Sequence, residues 1–161
     1  MRRIGCSGGL SCAALPEPLS CFWDPDCATR YLQDDDVVNR PIRVFQGGDD
    51  DSNPAAPCRA YVQRLQKAGK DERLTEYPGA HHVFDGVAFK VATKFPKVQT
   101  VRHCRIEEVS EGRLVNSETK QPFTYNDPCV ERGVTMAYNA EAHAQAVQAV
   151  TELVNTVLRA R

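Results

Sequence analysis

Apolar and polar positions in the middle of the chain alternate in the manner of a β-α-β unit. Residues 42–45 form a short apolar run, and residues 73–77 form a second strand-like run. Between them, residues 55–68 repeat apolar side chains at three- and four-residue intervals, which predicts a helix that ends before Gly69. Strands joined by such a helix are expected to be parallel neighbours with a right-handed crossover. The periodic positions of the helix are Cys58, Tyr61, Val62 and Leu65.

The segments on either side of this unit are less regular. Residues 1–40 contain small residues, cysteines, prolines and an acidic run, and they predict no helix. Residues 86–138 are too long for a simple connection, so we expect an irregular excursion over one end of the sheet. Within it, residues 105–109 and 114–116 flank a turn that contains Gly112, which predicts a β-hairpin.

The end of the chain is predicted to be a helix over residues 139–160. Asn139 is a suitable N-cap, because its side chain can accept a hydrogen bond from the first helical turn. One stripe of this helix is apolar and is expected to lie against the sheet: Val147, Val150, Val154, Val157 and Leu158. We therefore expect one α/β domain over residues 1–161, with a short, mostly parallel sheet, flanking helices and a β-hairpin excursion.

The composition fits a single globular domain and excludes two kinds of partner. The 161 residues are 42% apolar and 25% charged, which is the ordinary range for a chain with one core. The 20 basic and 21 acidic residues are spread along the chain, so no basic stripe is available to bind nucleic acid. No apolar run approaches the roughly 20 residues that cross a bilayer, and residues 1–3 precede no apolar signal segment. We expect a soluble chain that binds neither nucleic acid nor membrane.

The seven cysteines are many for a cytosolic domain, and their spacings match no zinc site. Cys104 and Cys129 flank the predicted hairpin, whose ends a disulfide could clamp, and Cys27 and Cys58 form a second candidate pair. The alternative that these are small buried thiols stays open, because spacing does not determine connectivity. Localisation stays open as well. The cysteine content is compatible with a periplasmic or secreted full-length form, although this chain shows no signal peptide.

The loops that follow the two predicted strands carry the residue types of a catalytic site. Residues 47–54 include three consecutive aspartates, and residues 78–85 include His81 and His82. Both loops should lie at the carboxyl ends of parallel strands, where open α/β sheets bind ligands. A carboxylate beside an imidazole orients the ring and stabilises its protonated form. Two other interpretations remain open: a hydrated acidic turn beside packing histidines, and a metal site formed by His81, His82 and residues 49–51.

The stretch RPIRVFQGGDDDSNPAAPCRAYVQRLQKAGKDERLTEYPGAHHVFD, residues 40–85, resembles the later half of the dienelactone hydrolase family, which has the α/β-hydrolase fold. Residues 100–135 resemble a tail found in one branch of that family. The family's acid loop has the form G-x-x-D-x-x-x-P, which Gly47, Asp50 and Pro54 match. The resemblance therefore implies that Asp50 is the acid, in preference to its two aspartate neighbours.

The histidine of that family stands in a G-H-x-F motif. His82 fits it, because Phe84 follows two places later, and the resemblance implies that His82 is the base. His81 then occupies the glycine position and is expected to be a neighbour of the base. Both the motif and the predicted position beyond an adjacent strand select the pair of Asp50 and His82.

The nucleophile of the α/β-hydrolase fold sits on a tight strand-to-helix turn, G-x-S-x-G, and precedes the acid and the histidine along the chain. Residues 5–9, GCSGG, match that string and imply Ser7 as the nucleophile. Only four residues precede the motif, and Pro16 and Pro18 interrupt the place of the usual helix. Either the chain begins inside a longer hydrolase, or the five-residue match is accidental.

The family resemblance implies a hydrolase of small carboxylic esters or lactones that acts by nucleophile-His-Asp acyl transfer, without cofactor or metal. Because only the later half of the family is matched, we expect a truncated chain with a partial α/β-hydrolase fold. An oxyanion-hole donor from an early loop would then be missing, and losing one such donor typically costs about 10²–10³ in rate. The alternative is a catalytically inactive remnant that serves as a structural or binding module.

A sheet cut before its central strand exposes a strand edge, which is a template for association. We predict that this chain is marginally stable by itself or forms a homodimer through that edge. Sedimentation and thermal melting over a range of protein concentrations test this, and the expected melting temperature rises with concentration. A soluble monomer that melts cooperatively at every concentration would show the prediction to be wrong.

Overall fold

The computed structural model describes residues 19–37 and 40–159. This part of the chain is mixed α/β, with eight strands in three small sheets and two helices. No helix in these ranges is long and apolar enough to cross a membrane. The strands are β1 (Ser20–Trp23), β2 (Thr29–Arg30), β3 (Ile42–Gly47), β4 (Glu72–Tyr77), β5 (Thr93–Thr100), β6 (Ile106–Ser110), β7 (Arg113–Asn116) and β8 (Glu131–Met136). The helices are α1 (Ala55–Lys67) and α2 (Ala140–Arg159).

A three-stranded parallel sheet in the order β1-β3-β4 is the framework of the site. β3, α1 and β4 form the predicted β-α-β unit, and β3 pairs in parallel with β4 along its whole length. The helix ends before Gly69, whose φ of 76° lies in the left-handed region that glycine adopts without strain. β1 adds the third strand at the strand-like run of residues 19–22, within a segment whose sequence pattern is otherwise irregular.

Side chains of β3 alternate between the two faces of this sheet, as the pleat of a strand requires. Ile42 and Val44 pack on one face with Cys58 and Val62 of α1. Phe45 points to the other face and belongs to the core cluster that α2 covers. The two helices therefore flank the sheet, and burial of apolar side chains on both faces holds the three layers together.

α2 packs against the sheet through a face that differs in part from the predicted one. The predicted N-cap is confirmed, because Asn139 Oδ1 accepts a hydrogen bond from the Ala142 backbone N–H at 3.0 Å. Ala142 and Ala146 are the buried residues of the helix, whereas Val147 and Leu158 are each 46% exposed. The predicted stripe is wrong at Val147 and Leu158, because the helix approaches the sheet through the face that carries the small alanines. The other stripe residues are partly buried against the core: Val150, Val154 and Val157.

Residues 86–138 form the excursion and contain more regular structure than predicted. The predicted hairpin is present as antiparallel β6 and β7, with Gly112 at a φ of 73° in its turn. β2 joins this hairpin by pairing in parallel with β6. β5 and β8 form an antiparallel ribbon that the sequence pattern did not predict. Most residues of β5 are exposed, so the strand carries no clear alternation of apolar and polar positions.

Two disulfides connect the elements. Cys27–Cys58 joins the segment after β1 to α1, and Cys104–Cys129 joins the two ends of the hairpin region. Both predicted pairs are confirmed, and the interpretation as buried thiols is wrong for these four residues. Closing loops of this size restricts the unfolded chain and typically contributes about 3 kcal/mol. Disulfides persist in oxidising environments, and these two pairs are compatible with an extracytoplasmic location.

The two outer strands of the parallel sheet are β1 and β4. Within residues 19–37 and 40–159, no strand of the sheet pairs with the outer side of either one. Unpaired backbone N–H and C=O groups are available at such edges. The predicted association through a sheet edge therefore stays a prediction.

Glu72, the first residue of β4, is a buried carboxylate without a hydrogen-bond partner. The residue is 2% exposed, and neither carboxylate oxygen has a partner within the described part of the chain. Burial raises the pKa of Glu72 from 4.5 to about 7, although the charges of Arg43 and Arg64 act in the opposite direction. A pKa that is higher in the folded state means that stability is lost as the pH rises from about 4.5 to 7.

Replacing Glu72 by glutamine should therefore stabilise the protein at high pH. We expect Glu72→Gln to have little effect near pH 4.5 and to raise the free energy of unfolding at pH 8 by up to about 3 kcal/mol. Urea unfolding at the two pH values measures this difference. Glu76→Gln on the same strand is the matched control, because Glu76 is partly exposed and paired with Arg59. Equal effects of Glu72→Gln at both pH values would contradict the explanation.

Candidate active site

Asp50 and His82 lie in direct contact at the carboxyl ends of β3 and β4. Because these strands are parallel neighbours, the loops that follow them leave the sheet at the same edge. His82 Nδ1 donates a hydrogen bond to Asp50 Oδ2 at 2.9 Å. The side chain of Asp50 is fully buried, and that of His82 is 19% exposed. The acid is therefore shielded from water, while the imidazole reaches the surface of the site.

The carboxylate of Asp50 is held in one orientation by the turn in which it lies. Oδ1 accepts hydrogen bonds from the backbone N–H groups of Ser52 at 2.7 Å and Asn53 at 2.8 Å. Oδ2 accepts a second hydrogen bond, from Gln46 Nε2 at 3.1 Å, besides the one from His82. Both oxygens are satisfied, so the carboxylate presents a fixed acceptor to the imidazole.

The hydrogen bond to Asp50 determines which nitrogen of His82 can take a proton. A carboxylate accepts, so Nδ1 carries the hydrogen and Nε2 is the free base of the neutral ring. Burial alone would lower the pKa of His82, but the hydrogen bond and charge of Asp50 raise it above its ordinary 6.5. The charges of Asp24 and Asp51 act in the same direction. The protonated imidazole is thus stabilised by its surroundings.

Gly47 allows the two loops to approach closely enough for this contact. A Cβ atom at this position would lie 2.5 Å from the carbonyl oxygen of Ala80 and 2.9 Å from that of His81. Only glycine fits against the backbone at such a distance. The glycine of the G-x-x-D motif therefore has a physical role, which is to bring the acid loop against the histidine loop.

The neighbours of the acid and the base make other contacts. His81 Nδ1 donates to the backbone carbonyl of Asp49 at 3.1 Å. Asp51 accepts hydrogen bonds from the backbone N–H and the hydroxyl of Thr135, at 2.7 and 2.9 Å. Of the three consecutive aspartates, only Asp50 is hydrogen-bonded to His82. The alternative metal set of His81, His82 and residues 49–51 is not assembled, because the ligand group found among the described residues is Asp24, Asp50 and His82.

The excursion packs over the acid loop through several polar contacts. Thr100 Oγ1 donates to the carbonyl of Ser52 at 2.6 Å, and the Arg102 guanidinium donates to the carbonyls of Asp51 and Gly133. The segment after β8 reaches the histidine loop, since the Ala137 N–H donates to the His82 carbonyl. These contacts fix both loops from outside the parallel sheet.

Asp24 is a third member of the site that the sequence did not reveal. It follows β1 and is 6% exposed. One side-chain nitrogen or oxygen atom from each of Asp24, Asp50 and His82 lies within 4.8 Å of the other two. Within residues 1–40 the sequence motif selected Ser7 and not Asp24, and the pairing of β1 with β3 that carries Asp24 to this edge is long-range. The one signal available was the short strand-like run that ends just before Asp24.

Two carboxylates and an imidazole are also donors suited to a divalent metal. In this arrangement, however, each carboxylate oxygen of Asp24 and Asp50 already accepts at least one N–H hydrogen bond. His82 uses Nδ1 to donate to Asp50. The geometry therefore favours orienting an imidazole and stabilising its charge over holding a cation.

The electrostatics of Asp24 differ from those of an exposed aspartate. Burial, followed by the charge of Asp50, raises the pKa of Asp24 from 3.8 to about 7. Hydrogen bonds from the Gly47 and Val83 backbone and the charge of His82 act in the opposite direction. Two buried carboxylates, those of Asp24 and Asp50, thus lie beside one imidazole.

Ser7, the nucleophile implied by the family resemblance, lies outside the described residues. The side chain of His82 is hydrogen-bonded to the carboxylate of Asp50. The structure therefore brings together the acid and the base of the predicted set. In comparisons with protein-family models, curated proteins and solved structures, nothing matches this chain.

Proposed function

We propose that this chain is a hydrolase of small carboxylic esters or lactones that acts by nucleophile-His-Asp acyl transfer. The observation that carries the proposal is the 2.9 Å hydrogen bond between His82 Nδ1 and the buried carboxylate of Asp50. This contact lies at the carboxyl ends of adjacent parallel strands, where catalytic groups of α/β enzymes are found. The resemblance of residues 40–85 to dienelactone hydrolases supports the same reaction class and a partial α/β-hydrolase fold.

The contacts of His82 suit it to act as a general base and then as a general acid. In the first step, the nucleophile hydroxyl attacks the ester carbonyl carbon while Nε2 of His82 takes its proton. When the C–O bond of the ester breaks, the imidazolium gives that proton to the departing alkoxide. Water then attacks the acyl-enzyme with the same proton transfers. Asp50 keeps the ring in its productive tautomer and stabilises the imidazolium in both steps.

Ser7 is the nucleophile in this proposal. Its place in the string GCSGG and its position before Asp50 and His82 in the chain follow the order of the fold that residues 40–85 resemble. An alcohol nucleophile needs an adjacent base at neutral pH, which is the role left to Nε2 of His82. The proposal thus joins a nucleophile inferred from the motif to the observed hydrogen bond between His82 and Asp50.

Acylation by an activated ester tests the proposal. We expect a burst of nitrophenolate from p-nitrophenyl acetate and a mass increase of the protein by one acetyl group, located on Ser7. His82→Ala should reduce the acylation rate about 10⁴-fold, because the general base is lost. His81→Ala is the matched control and should retain the rate within a few-fold, since the His81 side chain is hydrogen-bonded to a backbone carbonyl and not to Asp50.

Three results would count against parts of this proposal. Equal losses in His81→Ala and His82→Ala would contradict the assignment of the base. Acetylation of a residue other than Ser7 would contradict the assignment of the nucleophile. An intact fold by circular dichroism together with no acylation would favour the inactive remnant.

The pH dependence of hydrolysis should report His82. The base acts in its neutral form, so kcat/KM should fall as the pH decreases through a midpoint above 6.5. Asp50→Asn should move this midpoint to lower pH, because the hydrogen bond and charge that raise the pKa of His82 are reduced. Asp49→Asn is the control and should leave the midpoint in place. An unchanged midpoint in Asp50→Asn would show that another group controls the profile.

A further inference from the structure

Asp24 connects the ends of all three parallel strands. It follows β1, and its Oδ1 accepts hydrogen bonds from the backbone N–H of Gly47 at 2.7 Å and from Gln46 Nε2 at 3.3 Å, both on β3. Its Oδ2 accepts a hydrogen bond from the Val83 N–H at 2.9 Å, in the loop after β4. The Asp24 carbonyl accepts a further bond from Asn53 Nδ2 at 2.8 Å. One buried side chain thus organises both loops of the site.

The contact with Val83 bears directly on the orientation of His82. Val83 has a φ of 62°, a left-handed conformation that is strained for a β-branched residue. Such a conformation persists only where surrounding contacts hold it. The hydrogen bond from the Val83 N–H to Asp24 is such a contact, and Val83 immediately follows His82. The backbone direction at the base is therefore coupled to the Asp24 carboxylate.

The backbone of Asp24 is also fixed by contacts of its own segment. Its own φ is 44°, and its N–H donates to the Phe45 carbonyl at 2.8 Å. The next residue, Pro25, has its carbonyl 3.5 Å from the sulfur of Cys58, which is disulfide-bonded to Cys27. The disulfide joins this segment to α1, so the Asp24 carboxylate is placed by covalent and hydrogen-bonded contacts on both sides.

The charged groups around this contact are few. His82 faces the carboxylates of Asp50, Asp24 and Asp51, and Asp24 faces Asp50 and His82. Asp51 is hydrogen-bonded to Thr135 of β8. Asp50 and Asp24 are thus the two carboxylates that share the imidazole, one through its ring nitrogen and one through the backbone beside it.

We propose that Asp24 is a positioning residue for His82, which holds the Val83 peptide and adds a second negative charge beside the imidazole. The inference deepens the proposed function and rests on it for its catalytic consequence. A deprotonated Asp24 accepts from both Gly47 and Val83, whereas a protonated carboxyl has an O–H on one oxygen and accepts less well. The positioning of the base should therefore weaken as Asp24 takes up a proton.

The wild-type chain tests this without any substitution. In ¹⁵N-labelled protein, the amide resonances of Gly47 and Val83 should shift together with pH around a common midpoint near 7, because both donate to the same carboxylate. The Ala28 amide, which donates to the exposed Asp26, serves as the reference and should not follow that midpoint. Independent titration of the Gly47 and Val83 amides would overturn the proposal.

A pair of matched variants tests the effect on His82. Asp24→Asn keeps the shape but removes the charge and leaves one of the two N–H donors facing an amide N–H₂. We expect it to lower the pKa of His82, measured by NMR of the imidazole, and to reduce kcat about tenfold with little change in KM. Asp26→Asn, two residues away and exposed, should change neither. A His82 pKa that is the same in Asp24→Asn and in wild type would overturn the proposal.

The NMR measurements need no substrate, so they report on Asp24 even in a chain that hydrolyses nothing. Linked amide titration and a lowered His82 pKa without acylation would support the positioning role and contradict only the proposed function. If Asp24→Asn does not fold, the amide titration of the wild-type chain by itself decides the inference.

Discussion

The site depends on the parallel pairing of β3 with β4. Gly47 lies opposite Tyr77 at the end of this pairing, so the acid loop and the histidine loop start from adjacent points of one edge. A shift in register would separate the two loops, because each residue advances a strand by about 3.3 Å. Gly47 adds the second requirement, since a side chain there would meet the backbone at Ala80. The contact between Asp50 and His82 follows from these two constraints.

The same packing determines the electrostatics of the site. β1 lies beside β3 and brings Asp24 to the edge where Asp50 and His82 already meet. Burial makes two adjacent carboxylates costly, and the imidazole and the backbone N–H groups offset that cost. His82 is therefore more basic than usual, and Asp24 holds its proton up to about neutral pH. An arrangement of this kind is expected where protons are transferred. As a purely structural element it would lower the stability of the fold, because two adjacent carboxylates are buried.

Local patterns were sufficient for the β-α-β unit, the hairpin and the N-cap of α2. Each depends on residues that are close in sequence: an apolar period of three to four, a glycine in a turn, and Asn139 before the helix. Two disulfides were also predictable, although only as candidate pairs. The pairing of β5 with β8 was not predictable, because β5 is mostly exposed and its partner lies beyond the whole hairpin. The buried face of α2 was misjudged because alanines, and not valines, make the closest contact.

The amino-acid sequence by itself, through its β-α-β pattern and its resemblance to the dienelactone hydrolases, selected Asp50 and His82 as a pair. Asp50 and His82 follow consecutive strands of one β-α-β unit. Because these strands are parallel neighbours, the loops that carry the two residues lie side by side. Only the tertiary structure decided that Asp24 lies beside them. It also decided that Asp51 is hydrogen-bonded to Thr135 and His81 to a backbone carbonyl. These outcomes depend on long-range pairing and on which side chains are buried together, and neither is written in a local pattern.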